Sequence, residues 1–182
     1  MHENPDHLPQ GEPQVSSETD AISRSIRERE PQRFSGNASA RLDDRGRLKL
    51  PAEFRNFIER KYGKGYNEFY ITSLDGETAE VYPLVEWWER EKLIFETLPP
   101  SDKRRKKLMN AYNYWGTRSD MDPQGRLVIL DRLRENADLK TDVQVSAEGT
   151  FLRVTSLKKL AAMVLSEPLS DDEIDSLASL GL

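Results

Sequence analysis

An α+β fold, mainly β, built from two tandem half-repeats with flanking helices, is what this 182-residue sequence predicts. Three observations carry the prediction. The stretch Leu42-Asp43-Asp44-Arg45-Gly46-Arg47-Leu48-Lys49-Leu50 returns seventy-nine residues later as Met121-Asp122-Pro123-Gln124-Gly125-Arg126-Leu127-Val128-Ile129, and self-similarity at a fixed offset names the structural unit. The residues after each glycine alternate with period two, which is the signature of a half-buried strand. Each copy holds only a few short strands and helices, too little to close a core alone. The two copies therefore pair about a pseudo-twofold axis and bury their inner faces together.

Taken in order, residues 1–33 contain Pro5, Pro9, Pro13 and Pro31 and no aromatic residue. They are expected to be a disordered extension. Within it, Asp20 to Arg29 could form only a transient amphipathic turn through Ile22 and Ile26. Phe34 to Leu42 reads as a strand into a first hairpin, whose tip is the Asp-x-x-Gly turn at Asp43 and Gly46. Leu48 and Leu50 then face inward, with Arg47 and Lys49 facing outward. Pro51 opens a helix through Ile58, its apolar face made by Phe54, Phe57 and Ile58 at i, i+3, i+4. Tyr62-Gly63-Lys64-Gly65 breaks it.

Phe69 to Thr72 and Ala79 to Tyr82 read as strands around an Asp75-Gly76 turn. Pro83 starts a long helix carrying Leu84, Trp87, Trp88, Phe95 and Leu98, which Pro99-Pro100 ends. Ser101 is expected to cap the next helix, which runs through Tyr112. Trp115 to Met121 reads as the strand into a second hairpin, with its turn at Asp122 and Gly125. Asp131 to Ala137 is the short helix matching the first copy, Leu133 standing for Phe54 and Arg134 for Arg55. Val143 to Ala147, a Glu148-Gly149 turn and Phe151 to Thr155 complete the second copy. A closing helix covers Leu157 to Leu165, and an acidic tail follows in which Ile174, Leu177 and Leu180 could dock on a neighbour.

The bulk numbers exclude several classes. Mean hydropathy is -0.74 and 32% of residues are charged, as in a soluble protein. No apolar run approaches the roughly 20 residues of a membrane-spanning helix, and the N-terminus has no hydrophobic core of a secretory signal. Cysteine is absent, which excludes a disulfide framework, a thiol nucleophile and a Cys metal site. Net charge is -5, but it is unevenly spread. Residues 1–33 carry -3 and residues 166–182 carry -5, which leaves +3 for residues 34–165. The acidity lies in the two ends, and the remainder permits a nucleic-acid partner without proving one.

Catalysis finds no constellation. His2 and His7 both lie in the N-terminal extension, so no histidine is placed to act as a base or zinc ligand. Gly63-Lys64-Gly65 lacks the spacing of a phosphate-binding loop. No catalytic residue, metal site, cofactor or small-molecule substrate is expected.

Phe34-x-Gly36, Leu42-Asp43-x-x-Gly46-Arg47-Leu48, Pro51-x-x-Phe54-Arg55, Tyr82-Pro83-x-x-Glu86-Trp87 and Asp122-x-x-Gly125-Arg126-Leu127 together resemble the MraZ family of AbrB-like bacterial transcription regulators. The resemblance runs from about Phe34 to Leu165. It implies a double-split, swapped-hairpin β-barrel formed within one chain. It also implies a division into a first SpoVT-AbrB repeat at 37–84, linking helices at 85–112, a second repeat at 113–156, and a C-terminal helix with acidic tail at 157–182. It further implies a cytoplasmic, nucleoid-associated regulator that binds double-stranded DNA at promoter direct repeats, upstream of its own gene in a division and cell-wall cluster. A ring-shaped homo-oligomer follows from the same resemblance, with no membrane partner.

Arg47 and Arg126 are the leading DNA-contact candidates. An arginine fork matches guanine O6 and N7 in the major groove, which admits a two-stranded ribbon. The plainer alternative is that Asp43–Arg47 and Asp122–Arg126 are ion pairs fixing the turns, and the two readings are compatible. Arg45, Lys49, Arg41 and Gln124 are auxiliary candidates directed mostly at phosphate. Asp43, Gly46, Asp122 and Gly125 form and orient the turns. Gln124 replaces Arg45 and Val128 replaces Lys49 in the second copy, so the first hairpin is expected to bind more strongly. The basic run Lys103 to Lys107 reads as the solvated face of a packed helix. Trp87, Trp88 and Trp115 read as core or interface anchors rather than base-stacking platforms. The rival reading is an AbrB-like protein-interaction scaffold, antitoxin-like, whose acidic tail engages a partner.

Overall fold

The computed structural model describes residues 33–182; the expectations for the extension, including the Ile22–Ile26 turn, lie outside the described residues. Eight strands and six helices follow in order among the described residues. They are β1 (Asn37–Arg41), β2 (Arg47–Lys49), α1 (Ala52–Tyr62), β3 (Glu68–Thr72), β4 (Ala79–Pro83), α2 (Leu84–Thr97) and α3 (Lys103–Trp115). Then come β5 (Thr117–Asp120), β6 (Arg126–Val128), α4 (Asp131–Asn136), β7 (Asp142–Glu148), β8 (Phe151–Ser156), α5 (Leu157–Ser166) and α6 (Asp171–Ser179).

Six strands form one antiparallel sheet in the order β1-β7-β8-β4-β3-β5, and β2 pairs with β6 in a separate two-stranded ribbon. By the internal repeat, β1 corresponds to β5, β2 to β6, β3 to β7 and β4 to β8. The sheet order therefore reads the same from either end. Strand β1 of the first copy pairs with β7 of the second, Ala38 opposite Val145, and β5 of the second pairs with β3 of the first, Phe69 opposite Ser119. Each copy lends its leading strand to the other.

The α+β, mainly β class with flanking helices holds, and the exchange of strands between halves is present. The strands do not close into a barrel: the large sheet keeps β1 and β5 as free edges, and β2 and β6, three residues each, pair only with one another. Nor are the two repeated stretches self-contained hairpins. Between β1 and β2 only a Leu42–Leu48 bridge forms. The Asp43 turn bends the chain sharply enough that β2 leaves its own copy and finds β6.

The inner alternation explains the core. Leu48, Leu50, Leu127 and Ile129 are all buried, joined by Phe54, Ile58 and Leu133 from α1 and α4 and by Val143, Val145 and Val154 from the sheet. A smaller cluster holds α2 and α3 against one side of the first copy. There Trp87 stacks on Tyr70 at 4.2 Å between ring centroids and meets Tyr112 edge-on at 5.2 Å.

Several local expectations need correction. Asp102, not Ser101, caps α3, its carboxylate accepting from the Arg104 N–H at 2.8 Å. Both residue types cap well, and only the loop path distinguishes them. Trp115 ends α3 instead of starting a strand. Trp88 and Phe95 face outward, at 52% and 42% exposed, because α2 turns Leu84, Trp87 and Ile94 inward. Helix α5 buries none of its residues, and the acidic tail forms a helix, α6, on a Ser170–Glu173 capping box, which leaves Ile174 and Leu180 exposed as a docking role requires.

Candidate nucleic-acid interface

Each repeated turn is organised by one aspartate. Asp43 Oδ1 accepts from the backbone N–H of Arg45 and of Arg47, both at 3.0 Å, and its carbonyl accepts from the Gly46 N–H at 2.8 Å. Gly46 sits at φ +71°, a region L-residues enter only at a cost. The free oxygen, Oδ2, accepts from Arg47 Nε at 2.6 Å. Asp122 repeats every bond. Its Oδ1 accepts from the N–H groups of Gln124 and Arg126 at 2.9 Å each, and its Oδ2 accepts from Arg126 Nε at 2.7 Å.

The arginine hydrogen bond is the main reason the Asp43 carboxyl falls from 3.8 to about 2, with the Arg47 backbone N–H second. At Asp122 partial burial pushes the carboxyl up, but the side-chain and backbone hydrogen bonds from Arg126 outweigh it and the net direction is down. Arg47 is raised in turn by its bond to Asp43. Both turns therefore hold a fixed anion whose task is to aim a cation.

The ribbon register decides which cations share a face. Leu48 lies opposite Leu127 and both point into the core, so their neighbours point out: Arg47 opposite Val128, and Lys49 opposite Arg126. Arg47, Lys49 and Arg126 thus occupy one outward face of one ribbon. The two arginines are neither walled off nor freely extended, with side chains 26% and 27% exposed. Arg45 and Gln124 are exposed at the turn corners, and Gln124 Oε1 accepts from Arg126 Nη2 at 2.9 Å. Arg41 lies outside the ribbon itself. It belongs to β1 and pairs with Asp142 of the neighbouring strand at 2.9 Å.

Two further arginines at the turns were not singled out from the sequence, although the repeat of Phe54-Arg55 as Leu133-Arg134 contained the signal. Arg134 of α4 lies against Gly46, so close that a Cβ there would collide with its guanidinium, and Arg55 of α1 lies against Gly125 in the same way. The basic run on α3 is partly committed elsewhere. Arg104 pairs with Asp102 at 2.6 Å, and Arg105 sits 4.4 Å from the Phe95 ring centroid. Among the described residues, no group of three or more His, Cys, Asp or Glu is placed to hold a metal, and no helix is long and apolar enough to cross a membrane.

No protein-family model matches the chain. Whole-sequence comparison is decisive. The transcriptional regulator MraZ of Koribacter versatilis is 39% identical over 149 residues, covering 82% of this chain and 99% of that protein. This chain belongs to the MraZ family. The transcriptional regulator MraZ of Acidobacterium capsulatum is 37% identical over the same length and coverage, and that of Halothermothrix orenii is 28% identical over 141 residues. These MraZ proteins are named as transcriptional regulators, a non-enzymatic family.

Proposed function

We propose that the chain is a sequence-specific DNA-binding transcription regulator that reads promoter direct repeats with the β2–β6 ribbon. The observation that carries this is the ribbon register: Arg47, Lys49 and Arg126 share one outward face, and each arginine is aimed by its own aspartate. An arginine set in this way loses little freedom on binding, which favours guanine readout worth ~1–3 kcal/mol per contact. Arg45, Lys49 and Gln124 flank the two as phosphate or sugar contacts. The repeats at 37–84 and 113–156 act as one module, since the ribbon takes a strand from each.

A mildly basic subunit binds DNA weakly alone, so the reading includes a ring-shaped homo-oligomer that lines several ribbons along one duplex and gains by avidity. The exposed Val85, Trp88 and Phe95 on α2 support self-association. The target is the DNA upstream of its own gene, in a division and cell-wall cluster, and the place is the cytoplasmic nucleoid.

The test is fluorescence anisotropy with the protein's own upstream duplex and a random duplex of equal length. Arg47→Ala with Arg126→Ala should lower affinity for the upstream duplex at least ~30-fold, with the fold and the oligomer size retained. Retained affinity in the double variant overturns the reading. A scaffold function is favoured by one observation, the exposed apolar residues Met163, Val164, Leu165 and Ile174 of α5 and α6 beside an acidic tail. Equal affinity for the two duplexes at physiological salt would select it.

A further inference from the structure

The two turn glycines are each covered by an arginine from the other copy, and the two arginines differ in what holds them. Arg134 is tied down: its Nε donates to the Ile129 carbonyl at 3.2 Å, and its Nη2 pairs with Asp131. The position equivalent to Asp131 in the first copy is Ala52. Arg55 therefore has no carboxylate at the matching place, and among the described residues it makes no ion pair. Its Nε is buried without a hydrogen-bond partner, although the residue as a whole is only half-buried. A Cβ built on Gly125 would fall 2.7 Å from Arg55 Cδ and 2.9 Å from Nη1, so packing on the turn, not hydrogen bonding, holds the guanidinium in place.

Native structures rarely keep a buried donor unpaired without a reason. The charge of Arg55 is also uncompensated beside the turn that carries Arg126, with Lys49 directly across the ribbon. Arg55 thus lies on the turn that carries Arg126, which has Lys49 opposite it in the ribbon, and the turn's own acid, Asp122, is engaged by Arg126. The arrangement suits a phosphate oxygen, which a guanidinium binds through short charge-assisted hydrogen bonds.

Resting on the DNA-binding reading above, we propose that Arg55 is a phosphate contact of the second turn, whereas its counterpart Arg134 is a positioning residue that wedges the first turn in place. Arg55 compensates for the cations the second copy lacks at Gln124 and Val128. The phosphate surface is then built from both copies, with α1 completing the turn of the other half.

The experiment measures affinity of the full chain for its own upstream duplex and for a random duplex between 50 and 300 mM salt. Wild type, Arg55→Gln, Arg55→Lys and Arg134→Gln are compared, with melting temperature as the check on folding. Arg55→Gln is expected to weaken both duplexes by the same factor and to reduce the slope of log affinity against log salt by about one per contacting subunit. Arg55→Lys should restore the slope, since a point charge suffices for phosphate. Arg134→Gln should lower the melting temperature and leave the slope unchanged. A wild-type slope in Arg55→Gln, whether affinity is kept or lost, makes Arg55 a wedge like Arg134 and overturns the proposal. Wild-type protein that fails to prefer its upstream duplex defeats the regulator reading separately, because the slopes on random DNA still report on Arg55.

Discussion

In the first turn the corner residue is Arg45, the outward residue two beyond Arg47 is Lys49, and the arginine wedged against Gly46 is neutralised by Asp131. In the second turn the corner is Gln124, the outward position is Val128, 49% exposed, and the wedge is the unpaired Arg55. The bonds that build the two turns nonetheless match atom for atom and within 0.1 Å. The contrast separates two kinds of position. Asp, Gly, Arg and Leu recur because the turn and the core require them. The positions between them face solvent and are free to differ, as are the residues of α1 and α4 that cover the turns, Ala52 standing where the second copy has Asp131. The first half is rich in loose charge, while the second gives up charge for an amide that pins Arg126.

The shared frame can be broken most severely at its centre. Leu48 and Leu127 are fully buried and face each other across the ribbon. Each Leu→Ala change should cost ~2–5 kcal/mol by the usual cavity penalty, to be read from denaturant melts. Because the two touch, the double variant should deviate from additivity, and simple additivity would mean the halves are energetically separate.

A smaller effect comes from the glycines. Gly46→Ala and Gly125→Ala force a side chain to positive φ, at ~1–3 kcal/mol, and each displaces a guanidinium. Gly46→Ala should be the worse of the two, because moving Arg134 also breaks its bond to Asp131. Equal melting temperatures would erase that distinction.

Exchanging the corners sharpens the comparison through charge. Arg45→Gln should flatten the salt dependence of DNA binding, and Gln124→Arg should steepen it, each by about one per contacting subunit. The smallest signal is acid titration. The Asp43 carboxyl is lowered to about 2 from 3.8, so its contribution to stability is complete above about pH 4 and is lost as pH falls through 2. Carboxyl chemical shifts followed by NMR should show Asp43 ionised below pH 3, and a midpoint near 4 would mean its arginine has let go.

Much of the fold is legible in the sequence. The repeat named the turns, alternation placed Leu48 and Leu127 inside, and Gly76 and Gly149 marked reversals. What escaped was non-local. A three-residue strand carries no register signal of its own, so nothing in Arg47-Leu48-Lys49 shows that its partner lies in the other copy. The mutual wedging of Arg55 and Arg134 is invisible for the same reason, since each covers a glycine about seventy to ninety residues distant in sequence. Trp115 misled because its aromatic side chain suits a strand, whereas it closes α3 with its indole against Gly76, a contact that no local signal announces.

The exchange of leading strands has a bearing on synthesis. Asn37–Arg41 leaves the ribosome early, yet its ladder partner, Asp142–Glu148, is made more than a hundred residues later. Nascent chains must wait, and pairing so far apart is slow to nucleate. A product cut short before Arg126 would have no second strand for its ribbon, so prematurely ended copies would lack the face on which Arg47, Lys49 and Arg126 meet.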